Sequence, residues 1–482
     1  MTSPSLHDVD ARARVLEKRW QRLCDAYLPL IETDSIWRYH RVARRKGPVC
    51  GWKLHISATI LNAPAILERV APFLTTRRVQ FKAARSLAEV SRLNSGLIHA
   101  YSQIGKIITV YPRSDRELIY LARRLHQLTR KFKAPSVPFD LKFADESNVY
   151  YRFGAFNRIE IEQPNGQKVL MMQSPGGHLV PDVREHAKPD WANDPLENLK
   201  SLRQQKKTRG RKTEDSFQVV HALVQRGKGG VYQAIDFSST PPRLCLLKEG
   251  RKLGEVGWDG RDGAWRVRHE ETVLSKLAGC GLSLPKIYSR FELQGNFYLV
   301  MEFIDGESLH NLLLRRARRL PVARVLSYGV QIATLLEHMH RAGWTWRDCK
   351  PKNLIVTSDG RLVPIDFEGA APIKRPDPVL WGTRGFIPAT TRKRKSNGVS
   401  EDLFALGAIL YLLLTGRVFD ETDRAPIHHL RKNVPLEVRT LVESLLANTT
   451  SVTPAVTKQL NSIFLQTTRS KAPMNRQFVK AA

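Results

Sequence analysis

The sequence predicts an α+β chain in two parts: an N-terminal α+β domain, then a domain with a β-rich first lobe and a helical second lobe. Three observations predict it. Short β-branched runs alternate with amphipathic stretches over residues 36–162. A second set of strand-like runs begins at Ser216 and gives way to long apolar helical stretches after about residue 305. Between the two parts, residues 163–215 are rich in Pro, Gly, Asn and basic residues, and read as a linker or long loop region. The expected organisation is therefore a helical segment at 1–35, a first domain at 36–162, a linker at 163–215, two lobes at 216–304 and 305–466, and a tail at 467–482. The length of 482 residues, 42% of them hydrophobic, suits about three folding units at ~150 residues each.

Each element has its own signal. Met1 to Leu30 has helical character that ends at Pro29. Gly51 to Thr59 alternates as a strand, with Lys53, His55 and Ser57 on one face and Trp52, Leu54 and Ile56 on the other. Ala63–Leu74 and Ser86–Leu93 read as helices, and Lys106–Tyr111 as a β-branched strand. Asp115–Lys131 is an amphipathic helix with Leu118, Leu121, Leu125 and Leu128 on one face, and Tyr150–Phe156 is a further strand. Beyond the linker, Val224–Ala234 (V-Q-R-G-K-G-G-V-Y-Q-A) is a Gly-rich turn between two strands. R-L-C-L-L-K-E is a strand ending at Lys248, and Glu270, Leu274 and Leu277 lie on a helix. Phe297–Phe303 is a buried strand that runs into a hinge at Glu302, and Val322–His340 is an apolar helix.

Charge and composition narrow the partners. Lys and Arg number 77 against 46 Asp and Glu, a net charge of +31 that attracts polyanions, acidic peptides and phosphorylated chains. Basic runs occur at 200–212, 315–319 and 392–395. They read as solvated surface, and no zinc-finger spacing or aromatic RNA-binding motif accompanies them, so nucleic acid is not an expected partner. Cys24, Cys50, Cys245, Cys280 and Cys349 are scattered and odd in number, which fits a reducing compartment and no disulfide framework. No run approaches the ~18 apolar residues of a membrane span, and the N-terminus has no secretory signal pattern. Cytoplasmic residence without membrane contact is expected.

The most specific motif runs from Trp346 to Glu368, W-R-D-C-K-P-K-N-L-I-V-…-P-I-D-F-E. Its spacing is that of a protein-kinase catalytic core. Asp348 is placed as the base for the attacking hydroxyl and Lys350 beside the γ-phosphate, with Asn353 and Asp366 as ligands of Mg²⁺ on ATP (or GTP). Gly227, Gly229 and Gly230 let backbone N–H groups approach phosphates, Lys248 meets the α/β-phosphates, and Glu270 is its ion-pair partner. Asp402, opening D-L-F-A-L-G, resembles the Asp that braces the catalytic loop. Residues 216 to about 465 thus resemble a protein kinase domain. Trp346 stands where His is usual, Asp366-Phe367-Glu368 replaces Asp-Phe-Gly, and G-T-R-G-F-I-P-A-T stands in the region of Ala-Pro-Glu.

In the first half, G-W-K-L-H-I-S by itself describes a half-buried strand with a polar face. Lys82, Lys106 and Arg152 add cations in similar settings, a set suited to a dianionic phosphate. Together with F-K, L-N-S-G, S-Q-I-G-K-I-I-T-V-Y-P and Y-Y-R-F-G-A-F, the segment resembles the N-terminal lyase domain of class III lanthipeptide synthetases, itself similar to bacterial phosphothreonine lyases. The resemblance implies Lys53 as the base and His55 as the acid of a phosphate β-elimination, with Lys82, Lys106 and Arg152 as phosphate or substrate contacts. It implies a bifunctional dehydratase acting on Ser/Thr of a ribosomal precursor peptide, and the net positive charge suits an acidic leader on that peptide. Tyr101 occupies the place of an Arg that the family sets before Ser102, so one phosphate ligand is either missing or supplied elsewhere, with Arg92 and Arg113 as the candidates. Family members usually continue into a cyclase domain, whereas this sequence ends at Ala482, so three outcomes are expected: a separate cyclase, spontaneous thiol addition, or no ring formation. The rival reading is a Ser/Thr kinase with a silent N-terminal docking domain. Convergence of Lys53, His55, Lys82, Lys106 and Arg152 on one pocket separates the two.

Overall fold

The computed structural model describes residues 6–31, 36–41, 48–157, 159–197, 216–315, 319–377, 379–389, 398–448 and 452–469. The basic runs at 200–212 and 392–395, most of that at 315–319, and the end of the tail lie outside the described residues. The chain divides into two compact units, one holding residues 4–267 and 290–299, the other residues 268–289 and 300–482.

In the first unit, helix α1 (Leu6–Tyr27) is followed by seven strands and three helices. The strands are β1 (Leu30–Ile31), β2 (Trp37–His40), β3 (Cys50–Ile56), β4 (Gln80–Ala84), β5 (Ile108–Tyr111), β6 (Leu141–Lys142) and β7 (Val149–Ala155). They form one antiparallel sheet in the order β1-β2-β4-β5-β3-β7-β6. The helices are α2 (Ala63–Thr76), α3 (Leu87–Ser95) and α4 (Asp115–Thr129). Ser86 and Ser114 cap α3 and α4, each accepting from the N–H of the Glu three residues on, as in a capping box. The helices cover one face of the sheet. Trp52, Leu54 and Ile56 of β3 share a core with Ile66, Leu67 and Val70 of α2 and Leu118, Leu121 and Leu125 of α4. Leu128 stays at its rim. Period-two alternation then forces Lys53 and His55 onto the opposite face.

Register fixes what stands beside them. Lys53 pairs with Arg152 of β7, while His55 and Lys82 both pair with Thr109 of β5, one from each side. Residues in cross-strand register point the same way, so His55, Thr109 and Lys82 form a row across the sheet.

The stretch from residue 163 differs from the linker expected. With β8 (Ile159–Glu162), strands β9 (Lys168–Gln173) and β10 (Leu179–Pro181) form a small antiparallel sheet, and residues 182–197 continue in ordered turns. The strands are only three to six residues long and separated by Gly-containing turns. Their alternation is too brief to stand out against Pro, Gly and Asn.

Strands β11 (Phe217–Arg226), β12 (Gly229–Asp236) and β13 (Arg243–Gly250) belong to the five-stranded sheet β11-β12-β13-β15-β14, with β14 at Ile287–Leu293 and β15 at Asn296–Glu302. β11 and β12 form a tight hairpin with Arg226 opposite Gly229. The second unit is helical, built on Val322–Arg341, Val399–Thr415, Leu436–Leu446 and Thr453–Arg469. Val399–Thr415 is apolar nearly all round and is buried as such a helix must be. The α+β first part and the sheet-then-helix second part are those the sequence predicts.

Candidate active sites

The polar face of the seven-stranded sheet opens into a cavity of about 380 Å³. Lys53, His55, Lys82 and Lys106 line it, as do Thr109, Tyr111, Asp182 and Arg184, with Leu170 and Met171 of β9 among the other walls. Four of the five residues expected to converge therefore do so. The fifth, Arg152, is buried beside Lys53 on the neighbouring strand, where its guanidinium donates to Asp182 Oδ1 at 2.8 Å.

The charges are paired unevenly. His55 Nδ1 and Lys106 Nζ lie 2.6 and 2.8 Å from the two oxygens of Asp140, whose side chain is fully buried. Burial acts to raise the Asp140 carboxyl, but His55 and Lys106 outweigh it and hold it at about 2. An ionised Asp140 must accept from His55 Nδ1–H, which leaves Nε2 as the working nitrogen. Burial pulls the His55 imidazole down to about 3 against the pull of Asp140, so it is neutral at pH 7. Burial also takes Lys106 to about 8 and Lys82 to about 7, Arg184 adding to the effect on Lys82. Lys53 falls well below the ordinary lysine value through burial and then the charge of Arg184. Lys82 Nζ sits 4.2 Å from the Trp37 ring centroid, which orients it. The cavity thus gathers lysine amines whose charged form burial disfavours, beside the guanidinium of Arg184.

Sequence reasoning missed Asp140, Asp182 and Arg184. Asp140 stands alone in S-V-P-F-D, and the other two fall within the stretch read as linker. Arg184 stands at the cavity, whereas Arg92 and Arg113 pair with Glu89 and Glu117 and do not line it. The expectation for the missing arginine is corrected accordingly: the arginine lining the cavity is Arg184, while Arg92 and Arg113 are held by their own glutamates.

In the second unit, the catalytic loop is tied down at both ends. Asp402 accepts from the backbone N–H of Trp346 at 2.8 Å and of Arg347 at 2.7 Å, and His340 Nε2 lies 2.9 Å from it. These contacts fix Arg347 at φ 66°. The Trp346 indole donates to Asp366 O at 3.0 Å and stacks on Phe367, 5.5 Å between centroids. An indole thus occupies the usual His position and holds the Asp-Phe-Glu turn directly. Glu270 Oε1 accepts from Phe367 N at 3.2 Å. Lys350 Nζ and Thr383 Oγ1 both donate to Asp348, at 2.6 and 2.9 Å, and Asn353 Nδ2 donates to it at 3.1 Å. Burial raises the Asp348 carboxyl, with Asp366 adding to it and Lys350 opposing. Asn353 spends its amide N–H groups on Asp348; its side-chain carbonyl oxygen is a hard donor of the kind Mg²⁺ takes. Glu302 bonds Lys286 in both directions, its N–H to Lys286 O and its carboxylate from Lys286 N.

In the first unit, Lys248 is buried on β13 opposite Val231 of β12. Gly229 and Gly230 begin β12, while the Gly227 N–H, expected to face a phosphate, donates instead to Ser95 O at 2.9 Å.

Replacing Asp402 with alanine is expected to cost about 3 kcal/mol, because it leaves two buried backbone N–H groups without their acceptor. Denaturant unfolding of the full chain checks it, and a loss under about 0.5 kcal/mol would contradict this bracing role.

The family described as RamC, N-terminal domain, matches residues 29–208, and the protein kinase domain matches residues 251–478. The kinase match starts after the Gly hairpin and Lys248. The chain is 28% identical over 83% of its length to the probable SapB synthase of Streptomyces coelicolor, covering 43% of that protein. Protein kinase 2 of Dictyostelium discoideum is 25% identical over 42% of this chain and 41% of its own length. Serine/threonine-protein kinase PknA of a Nostoc species is 26% identical over 44% of this chain and 39% of its own. The chain spans about two-fifths of the length of these relatives. With a RamC-type N-terminal domain joined to a protein kinase domain, the chain is class III lanthipeptide synthetase-like.

Proposed function

We propose that this chain is a bifunctional peptide dehydratase, which phosphorylates Ser/Thr of a ribosomal precursor peptide and then expels the phosphate to leave dehydroalanine or dehydrobutyrine. The observation that carries it is the meeting of Lys53, His55, Lys82 and Lys106 with Arg184 around one cavity. A docking module has no need to gather this many basic groups in a buried place, where each cation costs solvation.

In the first reaction, ATP with Mg²⁺ supplies the γ-phosphoryl group. Asp348 takes the proton of the substrate hydroxyl as the new O–P bond forms and the β,γ-bridging O–P bond breaks. Lys350 stands beside Asp348 to meet the negative charge. Asn353 and Asp366 would hold the metal, and Lys248 and the hairpin glycines Gly229 and Gly230 would contact the nucleotide.

In the second reaction a lysine amine removes the Cα proton, the Cα–Cβ double bond forms, and the Cβ–O bond breaks with its electrons leaving on phosphate. We place the base at Lys82 ahead of Lys53. Lys82 is the less buried of the two and titrates near 7, where a base is half neutral at working pH yet keeps most of its basicity. Lys53 is the more buried of the two, and burial lowers it well below the ordinary lysine value. His55, oriented by Asp140, protonates the leaving phosphate through Nε2. The entering dianion raises the imidazole from its low value, so substrate binding charges the acid. Lys106 and Arg184 stabilise the departing phosphate, and Arg152 positions Asp182.

The sign of the pH dependence follows. Lys82 must be neutral, so kcat for elimination from a saturating pre-phosphorylated peptide, with His55 charged by the bound dianion, should rise with pH from about 7 upward. A kcat profile flat from about pH 6 to about pH 8 rules out Lys82 as base. The test of the whole reading is intact-mass analysis of a precursor peptide incubated with the chain, ATP and Mg²⁺. Conversion loses about 18 Da per site, whereas a gain of about 80 Da leaves only the kinase.

A further inference from the structure

Resting on the elimination reading, we propose that the Arg226–Gly229 hairpin, a nucleotide-loop motif by sequence, is also a positioning element of the elimination site, acting through Asn94 and Tyr101.

Two routes lead from the hairpin to the same carboxylate. The first starts at Gly227, whose N–H donates to Ser95 O at 2.9 Å. The backbones approach so closely that a Cβ on Gly227 would fall 1.6 Å from Asn94 O. The Asn94 side chain works in the opposite direction. It donates to Ala58 O at 2.9 Å and accepts from Gly105 N at 3.2 Å. It therefore fixes the chain just beyond β3 and the residue before Lys106, which pairs with Asp140.

The second route starts at Arg251. Its N–H donates to Lys228 O at 2.8 Å and its guanidinium to Arg226 O at 3.2 Å, so it clasps both sides of the turn. The same guanidinium lies 5.0 Å over the Tyr101 ring. That ring packs edge-on against Phe139, 5.8 Å between centroids. Phe139 holds φ 63° and directly precedes Asp140. Asp140 in turn sets the tautomer of His55 and pairs with Lys106.

Tyr101 stands where the resemblance expects an arginine, and here its ring joins the hairpin's arginine to the acid's carboxylate loop. Close-packed contacts of this kind pass displacements on rather than absorbing them. A hairpin that shifts on binding nucleotide must then move Asp140, and by reciprocity occupancy of the elimination site must change nucleotide affinity.

Amide hydrogen exchange on the full chain tests the link without relying on turnover. Gly227→Ala is expected to raise exchange at 101–106 and 139–140 about tenfold while leaving the helix Val322–Arg341 unchanged. Equal exchange in the two proteins overturns the proposal. Phosphate release from a pre-phosphorylated peptide, without nucleotide, supplies the functional arm. Gly227→Ala should lower kcat about tenfold with KM within about twofold, and shift the acid limb of the pH profile. Tyr101→Phe keeps the ring on Phe139 but loses the hydroxyl that meets Arg251, and should lower kcat about threefold. It carries the test if Gly227→Ala fails to fold. Unchanged kcat in both variants also overturns the proposal. A wild-type chain that releases no phosphate refutes the elimination reading instead, and exchange still decides the role of the hairpin.

Discussion

Alanine at position 82 is expected to halt the chain at the phosphorylated peptide. The base of an elimination is used in the step that breaks the Cα–H bond, and general-base catalysis contributes about 10²–10⁴-fold. Lys82→Ala should therefore accumulate peptide heavier by about 80 Da per site where the wild type yields peptide lighter by about 18 Da. Stability should change little, since the Lys82 amine faces the cavity and meets the sheet through the Trp37 and Tyr39 rings. Added primary amines provide the sharper readout. They can occupy the space of the lost side chain and restore elimination in Lys82→Ala, with a rate that grows with amine basicity. Lys53→Ala should also slow elimination, through the lost contribution to the polar wall, but without amine rescue. Rescue of Lys53→Ala alone would return the base to Lys53. Normal dehydration by both variants would end the lyase reading.

The parts of this site that were legible in the sequence are those carried by period. Trp52, Leu54 and Ile56 enter the helix-covered core, so the alternate positions Lys53 and His55 must face away from it. Lys82 and Lys106 were visible as cations in β-branched surroundings, and the strand register brings Lys82 level with His55 across Thr109. The C-terminal motif was legible for a different reason. Asp348, Lys350, Asn353 and Asp366 are tied to one local backbone path, since Asn353 bonds Asp348 and Trp346 bonds Asp366. Chemistry confined to one short loop leaves a fixed spacing behind.

What was not legible depends on distant pairing. Asp140 lies 85 residues from His55, in a loop without periodicity, and only the folded chain shows that it orients the acid. Asp182 and Arg184 follow a three-residue strand amid turn residues, where composition suggested a linker. The hairpin glycine Gly227 was read by its motif as phosphate-facing, yet its N–H is committed to Ser95. A local motif specifies a local turn, and its partner is chosen by tertiary packing.

The counterpart to Lys82→Ala is Asp348→Asn, which should abolish phosphorylation while sparing elimination. The carboxylate receives Lys350, Thr383 and Asn353, and burial raises it above the ordinary Asp value. Asparagine fills the same space but cannot take the hydroxyl proton, and it turns an amide toward a lysine ammonium. A fall in phosphorylation of about 10²–10⁴-fold is expected. The raised Asp348 also moves the acid limb of wild-type phosphorylation upward, because the base must be ionised to act. Given a pre-phosphorylated peptide, Asp348→Asn should release phosphate at the wild-type rate, since none of the cavity residues belongs to the catalytic loop. If it does not, the two reactions are not carried by separate residues and the bifunctional reading fails at its division of labour. Mixing the two variants then asks how the peptide travels. Lys82→Ala can supply phosphopeptide and Asp348→Asn can consume it, so dehydration in the mixture requires the intermediate to leave one chain and enter another. A mixture that accumulates only phosphopeptide, although Asp348→Asn eliminates from the same peptide added alone, means that the intermediate is passed on within one chain.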